Sequence, residues 1–159
     1  MFVFGHVGIG RLVIGPRGRA LPFIPLLIGL LLPDLIDKPL YYAHLSSFIS
    51  CTRTFGHTGL LAILVLLIAA ARRSSALLAV GLGMATHLAL DCVMDFWSYD
   101  TRSAWTALTW PLGGWHFAVV EISVVDHLKR IFVAPVMLTE LMGLIVLAWE
   151  YRRARRAAS

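Results

Sequence analysis

The segment from residue 75 to residue 96 reads SALLAVGLGMATHLALDCVMDF, and His87 is its only charged or imidazole side chain before residue 91. A stretch of this length and apolar character can cross a membrane as a helix, which takes about 20 residues. Residues 20–33, 58–71 and 131–149 are similarly apolar, with Glu140 as the single charge in the last. The first two are short for full spans, so we expect them to tilt, to thin the bilayer or to lie sheltered inside a bundle.

Composition favours one compact membrane domain. The chain has 159 residues, of which 58% are hydrophobic, and its mean hydropathy is +0.78. A soluble domain of this size would be difficult to keep in solution with such a composition. We therefore predict an all-α integral membrane helical bundle over residues 1–159, with an irregular, aromatic-rich outer segment at 97–130. The five expected helical segments are 2–15, 20–36, 57–71, 75–96 and 131–151.

The basic residues indicate how the chain is oriented. The net charge is +5, but most of the lysines and arginines adjoin apolar segments instead of forming a soluble basic face, so no nucleic-acid partner is expected. By the positive-inside rule, the side that carries them is cytoplasmic. We predict an inner-membrane protein with a cytoplasmic C-terminus. Nine arginines define that side: Arg11, Arg17, Arg19, Arg72, Arg73, Arg152, Arg153, Arg155 and Arg156.

Six side chains that can ligate metals lie at nearly one depth. Each is 11 to 16 residues along its helix from a cytoplasmic turn or tail. At about 1.5 Å per residue this is roughly 16–24 Å, towards the outer half of the bilayer. Ionisable groups are costly in apolar helices and usually mark function. The sequence therefore predicts a metal site, with these candidate ligands: His6, Asp34, His57, His87, Asp91 and Glu140.

The fourth apolar segment carries the clearest spacing. His87 and Asp91 are four residues apart, so both project from one helix face and can share a cation. Asp95 follows four residues later, as a further ligand or as a group that orients a histidine. In a soluble helix the same spacing is more often a surface pair.

Two carboxylates end the second apolar segment. Asp34 and Asp37 are three residues apart. They can bridge metal ions, because ionised carboxylates offer acceptor oxygens and no donors. The alternative is an ordinary polar helix end facing water. Asp37 can equally pair with Lys38.

The other candidates come from three further segments. His57 is placed to ligate from the first turn of the third segment, and Arg53 offers a planar fork suited to phosphate. Alternatively, these two mark a helix start with an interfacial arginine. A lone histidine such as His6 is more often a satisfied core group. Glu140 is expected to bind the metal or to hold one of the metal-binding side chains in place.

The remaining ionisable groups are expected to be solvated, and Cys51 and Cys92 to be unpaired thiols. The solvated set is His44, His116, Glu121, Asp126 and His127.

In its motifs the chain resembles the YdjM-like family of LexA-regulated, inner-membrane-associated metal-dependent hydrolases. The matching pieces cover nearly the first 115 residues and comprise His6, Pro33-Asp34-Leu35-Ile36-Asp37, Arg53-Thr54-Phe55-Gly56-His57-Thr58, His87-Leu88-Ala89-Leu90-Asp91 and Trp110-Pro111-Leu112.

The family is similar to the all-helical zinc-dependent phospholipases C and single-strand nucleases. The resemblance implies one to three zinc ions, phosphoester hydrolysis and five carried-over ligands, namely His6, Asp34, His57, His87 and Asp91. It gives Glu140 less support, because Val136 stands where the pattern of a histidine four residues before a glutamate would place the histidine.

Together these features predict a membrane-bound, metal-dependent hydrolase that cleaves a phosphoester of a lipid or lipid-linked substrate near the outer leaflet. Metal-activated water would make a nucleophilic side chain unnecessary. Arg53 would hold the phosphate, and Asp37, Asp95 or Glu140 would complete the shell or move protons. The alternatives are a cation transporter and a non-catalytic membrane protein whose helices are stapled by metal.

Overall fold

The computed structural model describes residues 1–43, 51–98, 102–120 and 122–158, in which helices joined by turns and loops are the regular structure and no strand occurs. This confirms the predicted all-α class. Two stretches, Ser75–Trp97 and Ala134–Arg156, are long and apolar enough to cross a membrane. The elements are a π-helical turn (Gly5–Ile9), α1 (Gly10–Arg19), α2 (Phe23–Tyr42), a 3-10 turn (Phe55–His57), α3 (Gly59–Arg72), α4 (Ser75–Ser98), α5 (Arg102–Thr109), α6 (Val124–Lys129), a 3-10 turn (Arg130–Phe132) and α7 (Ala134–Ala158).

The second helix is longer than predicted. It continues past residue 36 to Tyr42, with Pro33 and Pro39 inside it. A proline removes one hydrogen bond and bends a helix, but packing on both sides can hold the helix together. The extension keeps Asp34, Asp37 and Lys38 on one continuous helix.

The outer segment 97–130 is less irregular than predicted. It contains the last residues of α4 and the short helices α5 and α6. Helices of six and eight residues are too short for a clear hydrophobic period. Helix α6 begins at Ser123, whose hydroxyl accepts a hydrogen bond from the Asp126 amide.

A close crossing of α2 and α4 forms the centre of the bundle. A Cβ atom on Gly29 would overlap the carbonyl oxygen of Val80, and one on Gly83 would lie 2.7 Å from the Leu30 nitrogen. Only glycine allows the two backbones to approach this closely. Asp34 and His87 lie about one turn beyond these glycines, so the crossing brings them together.

The remaining helices enclose this pair. Helix α3 packs along α4, and α7 packs against the N-terminal π-helical turn. The indoles of Trp97, Trp105 and Trp115 are exposed. Cys51 and Cys92 are free thiols, as predicted.

Candidate metal centre

The structure brings five of the six predicted ligands into one cluster. They come from the N-terminal turn, α2, the 3-10 turn before α3, and α4. Four are buried, and the Asp34 side chain is 17% exposed. The ligand atoms form two overlapping groups that can hold a metal ion, each within 4.8 Å: His6, Asp34 and His87, and His57, His87 and Asp91.

Asp34 and Asp91 each place a carboxylate oxygen 3.5–4.0 Å from the two facing Nε2 atoms of His57 and His87. The His57 Nε2 atom lies 3.3 Å from His87 Nε2, 3.6 Å from Asp34 Oδ1 and 3.5 Å from Asp91 Oδ2. His87 Nε2 lies 4.0 Å from Asp34 Oδ1 and 3.8 Å from Asp91 Oδ2. Ligands about 2.0–2.2 Å from a tetrahedral zinc ion are about 3.3–3.6 Å apart. Three of the five distances lie within or close to this range, and the two from His87 Nε2 to the carboxylates are slightly longer.

The hydrogen bonds of two imidazoles leave their inner nitrogens free to ligate. His87 Nδ1 lies 2.8 Å from the Leu30 carbonyl oxygen, and His57 Nδ1 lies 2.7 Å from Asp37 Oδ2. A carbonyl and an ionised carboxylate only accept, so both Nδ1 atoms donate. When the imidazoles are neutral, their two Nε2 lone pairs face each other. A cation between them removes the repulsion.

Asp37 holds the turn that carries His57. Its carboxylate is fully buried and accepts from the Thr54 amide at 2.6 Å, the Thr54 hydroxyl at 2.9 Å, the Gly56 amide at 2.8 Å and the His57 amide at 3.2 Å. With its bond to the His57 ring, Asp37 forms the carboxylate–histidine arrangement that orients metal ligands. It belongs to neither ligand group and is placed as a positioning residue.

The two oxygens of the Asp34 carboxylate face different partners. Its Oδ2 atom accepts from the Lys38 ammonium, while Oδ1 faces the two imidazoles. The pair that forms is thus Lys38 with Asp34, and not with Asp37.

His6 completes the cluster from the N-terminal turn. Its ring is fully buried and stacks on His87, with centroids 3.8 Å apart and planes 11° from parallel. Its Nε2 atom lies 3.3 Å from Asp91 Oδ1, but neither ring nitrogen makes a well-directed hydrogen bond within the described chain. A buried imidazole without a hydrogen bond is costly, and coordination would satisfy it.

Arg53 lies against the carboxylates of α4. Its Nη2 atom is 3.1 Å from Asp91 Oδ2, and Nη1 pairs with Asp95. Burial alone would disfavour the guanidinium charge, but Asp91 and Asp95 outweigh burial and hold the pKa of Arg53 above its ordinary value. Arg53 therefore remains a cation beside the cluster.

Glu140 reaches the expected depth but contacts different groups. It is 6% exposed, and its oxygens accept from the amides of Phe2 at 2.8 Å, Phe4 at 3.0 Å and Gly5 at 3.1 Å. Carboxylates stabilise the unpaired amides at a helix start. The structure places Glu140 in neither ligand group, and it anchors the turn that presents His6.

A cavity of about 130 Å³ opens beside the cluster. Its wall includes the candidate ligands Asp34 and Asp91 and the neighbouring pair Arg53 and Asp95. Three further titratable side chains line it, Lys38, His127 and Arg130, and the rest of the wall is Thr52, Cys51 and apolar residues.

Sequence reasoning did not anticipate these three cavity residues. Lys38 could have been found by its four-residue spacing from Asp34. For His127 the prediction of a solvated role is wrong, because its Nε2 atom is buried. Burial, assisted by the charge of Lys38, lowers the pKa of His127 to about 4.

The other solvated predictions divide into two groups. His116 and Asp126 are exposed as expected. His44 and Glu121 lie outside the described residues.

Comparison with known proteins identifies no relative. No family model, curated protein or solved structure matches the chain.

Proposed function

We propose that this protein is a membrane-embedded, metal-dependent hydrolase that cleaves a phosphoester of a lipid or lipid-linked substrate. The observation that carries the proposal is the close approach of His57, His87, Asp34 and Asp91 beside a cavity lined by charged side chains of both signs. The resemblance to YdjM-like hydrolases supports the same chemistry.

The exposed surface of α7 supports a membrane setting. Only 11% of an 18-residue apolar window within Ala134–Arg156 is buried within the protein, compared with 44% of the corresponding window within Ser75–Trp97. The core helix of a soluble protein would be covered on most sides. Lipid would cover the exposed apolar side chains of α7, among them Leu138, Leu141 and Ile145. The arginine-rich turns would then lie in the cytoplasm and the site towards the outer leaflet.

Zinc is the metal that we propose for this site. Two imidazole nitrogens and two carboxylate oxygens form a donor set that zinc accepts. His57, His87, Asp34 and Asp91 would hold it, and His6 would be a fifth ligand or hold a second ion with the outer oxygen of Asp91. When bound, zinc supplies a Lewis acid for a phosphoryl oxygen and lowers the pKa of a bound water.

The chain's own residues would bind and orient the substrate. Arg53 presents a planar fork to the phosphate, and Asp95 holds that fork in place. Asp95 also lines the cavity, so it is the carboxylate placed to accept a proton. Asp37 keeps the Nδ1 proton of His57 fixed, so that Nε2 faces the metal site.

The pattern of buried polar groups favours hydrolysis over cation transport. A transporter needs polar groups along a path to both sides of the membrane. Within the described residues, none of the fully buried polar side chains comes from α3 or from α4 before His87. The site has a cavity on one side and an apolar floor on the other.

Activity can be tested with purified protein in detergent, reconstituted with zinc. We expect hydrolysis of at least one of three substrates: a phosphomonoester, a phosphodiester and a fluorescent phospholipid. His57→Gln should lower the rate about 100-fold or more, because it removes a metal ligand and the hydrogen bond by which Asp37 orients that ligand. The control is His116→Gln, since His116 is exposed and outside the cluster.

Two results would overturn the proposal. One is wild-type protein that binds no divalent metal. The other is zinc-loaded protein that turns over none of the three substrates, which would favour the metal-stapled, non-catalytic alternative.

A further inference from the structure

The proposed hydrolysis assigns no role to two residues that line the cavity. His127, on α6, and Arg130, which begins the following 3-10 turn, line the same cavity as the ligands Asp34 and Asp91. Neither residue joins a ligand group. Their position makes them candidates to contact a part of the substrate beyond the reacting phosphorus.

The charges around the cavity indicate what that part is. The cationic side chains are Lys38, Arg53 and Arg130, and the anionic ones are Asp34, Asp91 and Asp95. These side-chain charges cancel, so a bound divalent ion leaves the cavity positive, and the Met1 ammonium on the same wall adds to that charge. Such a cavity attracts a multiply charged anion and repels a cationic headgroup.

Arg130 differs from the other two cations. Lys38 is paired with Asp34, and Arg53 is paired with Asp91 and Asp95. Arg130 forms no ion pair with any described carboxylate, although it lines the cavity. Its guanidinium can therefore bind an incoming anion without first breaking a pair.

His127 adds a neutral donor beside it. Its ring is held between Phe2, with centroids 5.2 Å apart, and Tyr42, with centroids 6.2 Å apart. Its Nε2 atom is buried and has no hydrogen-bond partner in the described chain. Since the low pKa keeps the ring neutral, it can donate one hydrogen bond to an oxygen anion without adding charge.

We propose that Arg130 and His127 bind the second phosphate of a diphosphate group, so that the substrate is the diphosphate ester of a lipid alcohol. The first phosphate would lie at the metal site near Arg53. The apolar wall residues Val120, Ile122 and Val136 would contact the start of the lipid chain. The substrate class rests on the proposed hydrolase function, whereas the anion subsite can be tested by binding alone.

The test compares methylphosphonate with methylenediphosphonate, whose P–C–P bridge does not hydrolyse. Both are titrated by calorimetry into zinc-loaded protein in detergent, and zinc retention is checked in the same samples. We expect the diphosphonate to bind about tenfold or more tightly. Arg130→Met and His127→Leu should each remove about tenfold of that preference, the size of one charge-assisted or buried hydrogen bond. Methylphosphonate affinity should change less than about twofold.

Lys129→Met is the matched control. Lys129 is the cation next to Arg130 and lies on the same helix as His127. It pairs with Asp126 at 3.2 Å and does not line the cavity. The subsite is overturned if wild-type protein shows no preference for the diphosphonate, or if both variants keep the preference. Diphosphonate binding that depends on Arg130, in protein that hydrolyses nothing, would contradict the proposed activity and keep the subsite.

Discussion

His57 and His87 hold their Nδ1 protons in different ways. His87 donates to a backbone carbonyl that α2 offers at Leu30, while His57 donates to the buried carboxylate of Asp37. Both rings are thereby fixed with Nε2 towards the same point. At the residue scale, the site consists of ligands whose orientation is set before a metal arrives.

Asp37→Asn should weaken zinc binding about 10- to 100-fold. The amide keeps the size of the carboxylate but has one acceptor oxygen, so it cannot hold the His57 ring and the Thr54–His57 turn together. The measurement is competition for zinc with a chromogenic chelator. Asp126→Asn is the control, because Asp126 is exposed on α6. Equal affinities for the two variants would show that Asp37 does not position His57.

At the element scale, the crossing of α2 and α4 determines how far apart Asp34 and His87 lie. Gly83 meets backbone atoms of the facing helix, with the Leu30 nitrogen 2.7 Å and the Leu26 oxygen 2.8 Å from a Cβ atom placed on it. Backbone cannot move aside as a side chain can. A methyl group at this point must therefore separate the helices.

Gly83→Ala should destabilise the protein by about 1–3 kcal/mol and weaken zinc binding, because it separates ligands on two helices. Gly81→Ala is the matched control. Its Cβ would meet the flexible end of Leu66, at 2.6 Å from Cδ2. The measurements are the free energy of unfolding in detergent and zinc affinity. If Gly83→Ala leaves zinc affinity unchanged, the crossing does not set the ligand spacing.

The predictability of the site also differs between elements. Counting residues from the basic turns places His6, Asp34, His57, His87 and Asp91 at one depth, and the structure brings these five together. The same count places Glu140 correctly along α7 but cannot say which way it faces. Its partners are backbone amides, and residue types in a sequence do not show which backbone amides a side chain will contact.

The predicted helix ends and the outer segment depended on weaker signals. The second segment is expected to end at residue 36, yet the helix continues to Tyr42. Similarly, the side chains near His127 look solvated by composition. Only the tertiary fold places that ring against Phe2 and beside Lys38.

At the scale of the whole molecule, the proposed orientation in the membrane rests on the exposed apolar faces and the arginine-rich turns. Helix α7 exposes large apolar side chains along its length, and the α3–α4 turn carries Arg72 and Arg73. The α4 ligands of the metal cluster, His87 and Asp91, lie in the half of α4 farther from this turn. A substrate in the outer leaflet would then reach the cavity without crossing the membrane.

This orientation can be tested by labelling single cysteines in a Cys51→Ala, Cys92→Ala background. A Ser74→Cys thiol, in the α3–α4 turn, should react with an impermeant maleimide only after the cells are permeabilised. A Trp115→Cys thiol should react in intact cells, because residue 115 is exposed at the other end. The reverse pattern would place the site at the cytoplasmic face.

The central claim is that four side chains from three elements hold one metal ion. Its most direct test is elemental analysis of purified protein combined with X-ray absorption at the zinc edge. We predict at least one zinc per chain, bound by nitrogen and oxygen at about 2.0–2.2 Å. The first zinc should be lost when His57 and His87 are both replaced by glutamine. Wild-type protein without metal, or a double variant that keeps the same zinc spectrum, would contradict the account.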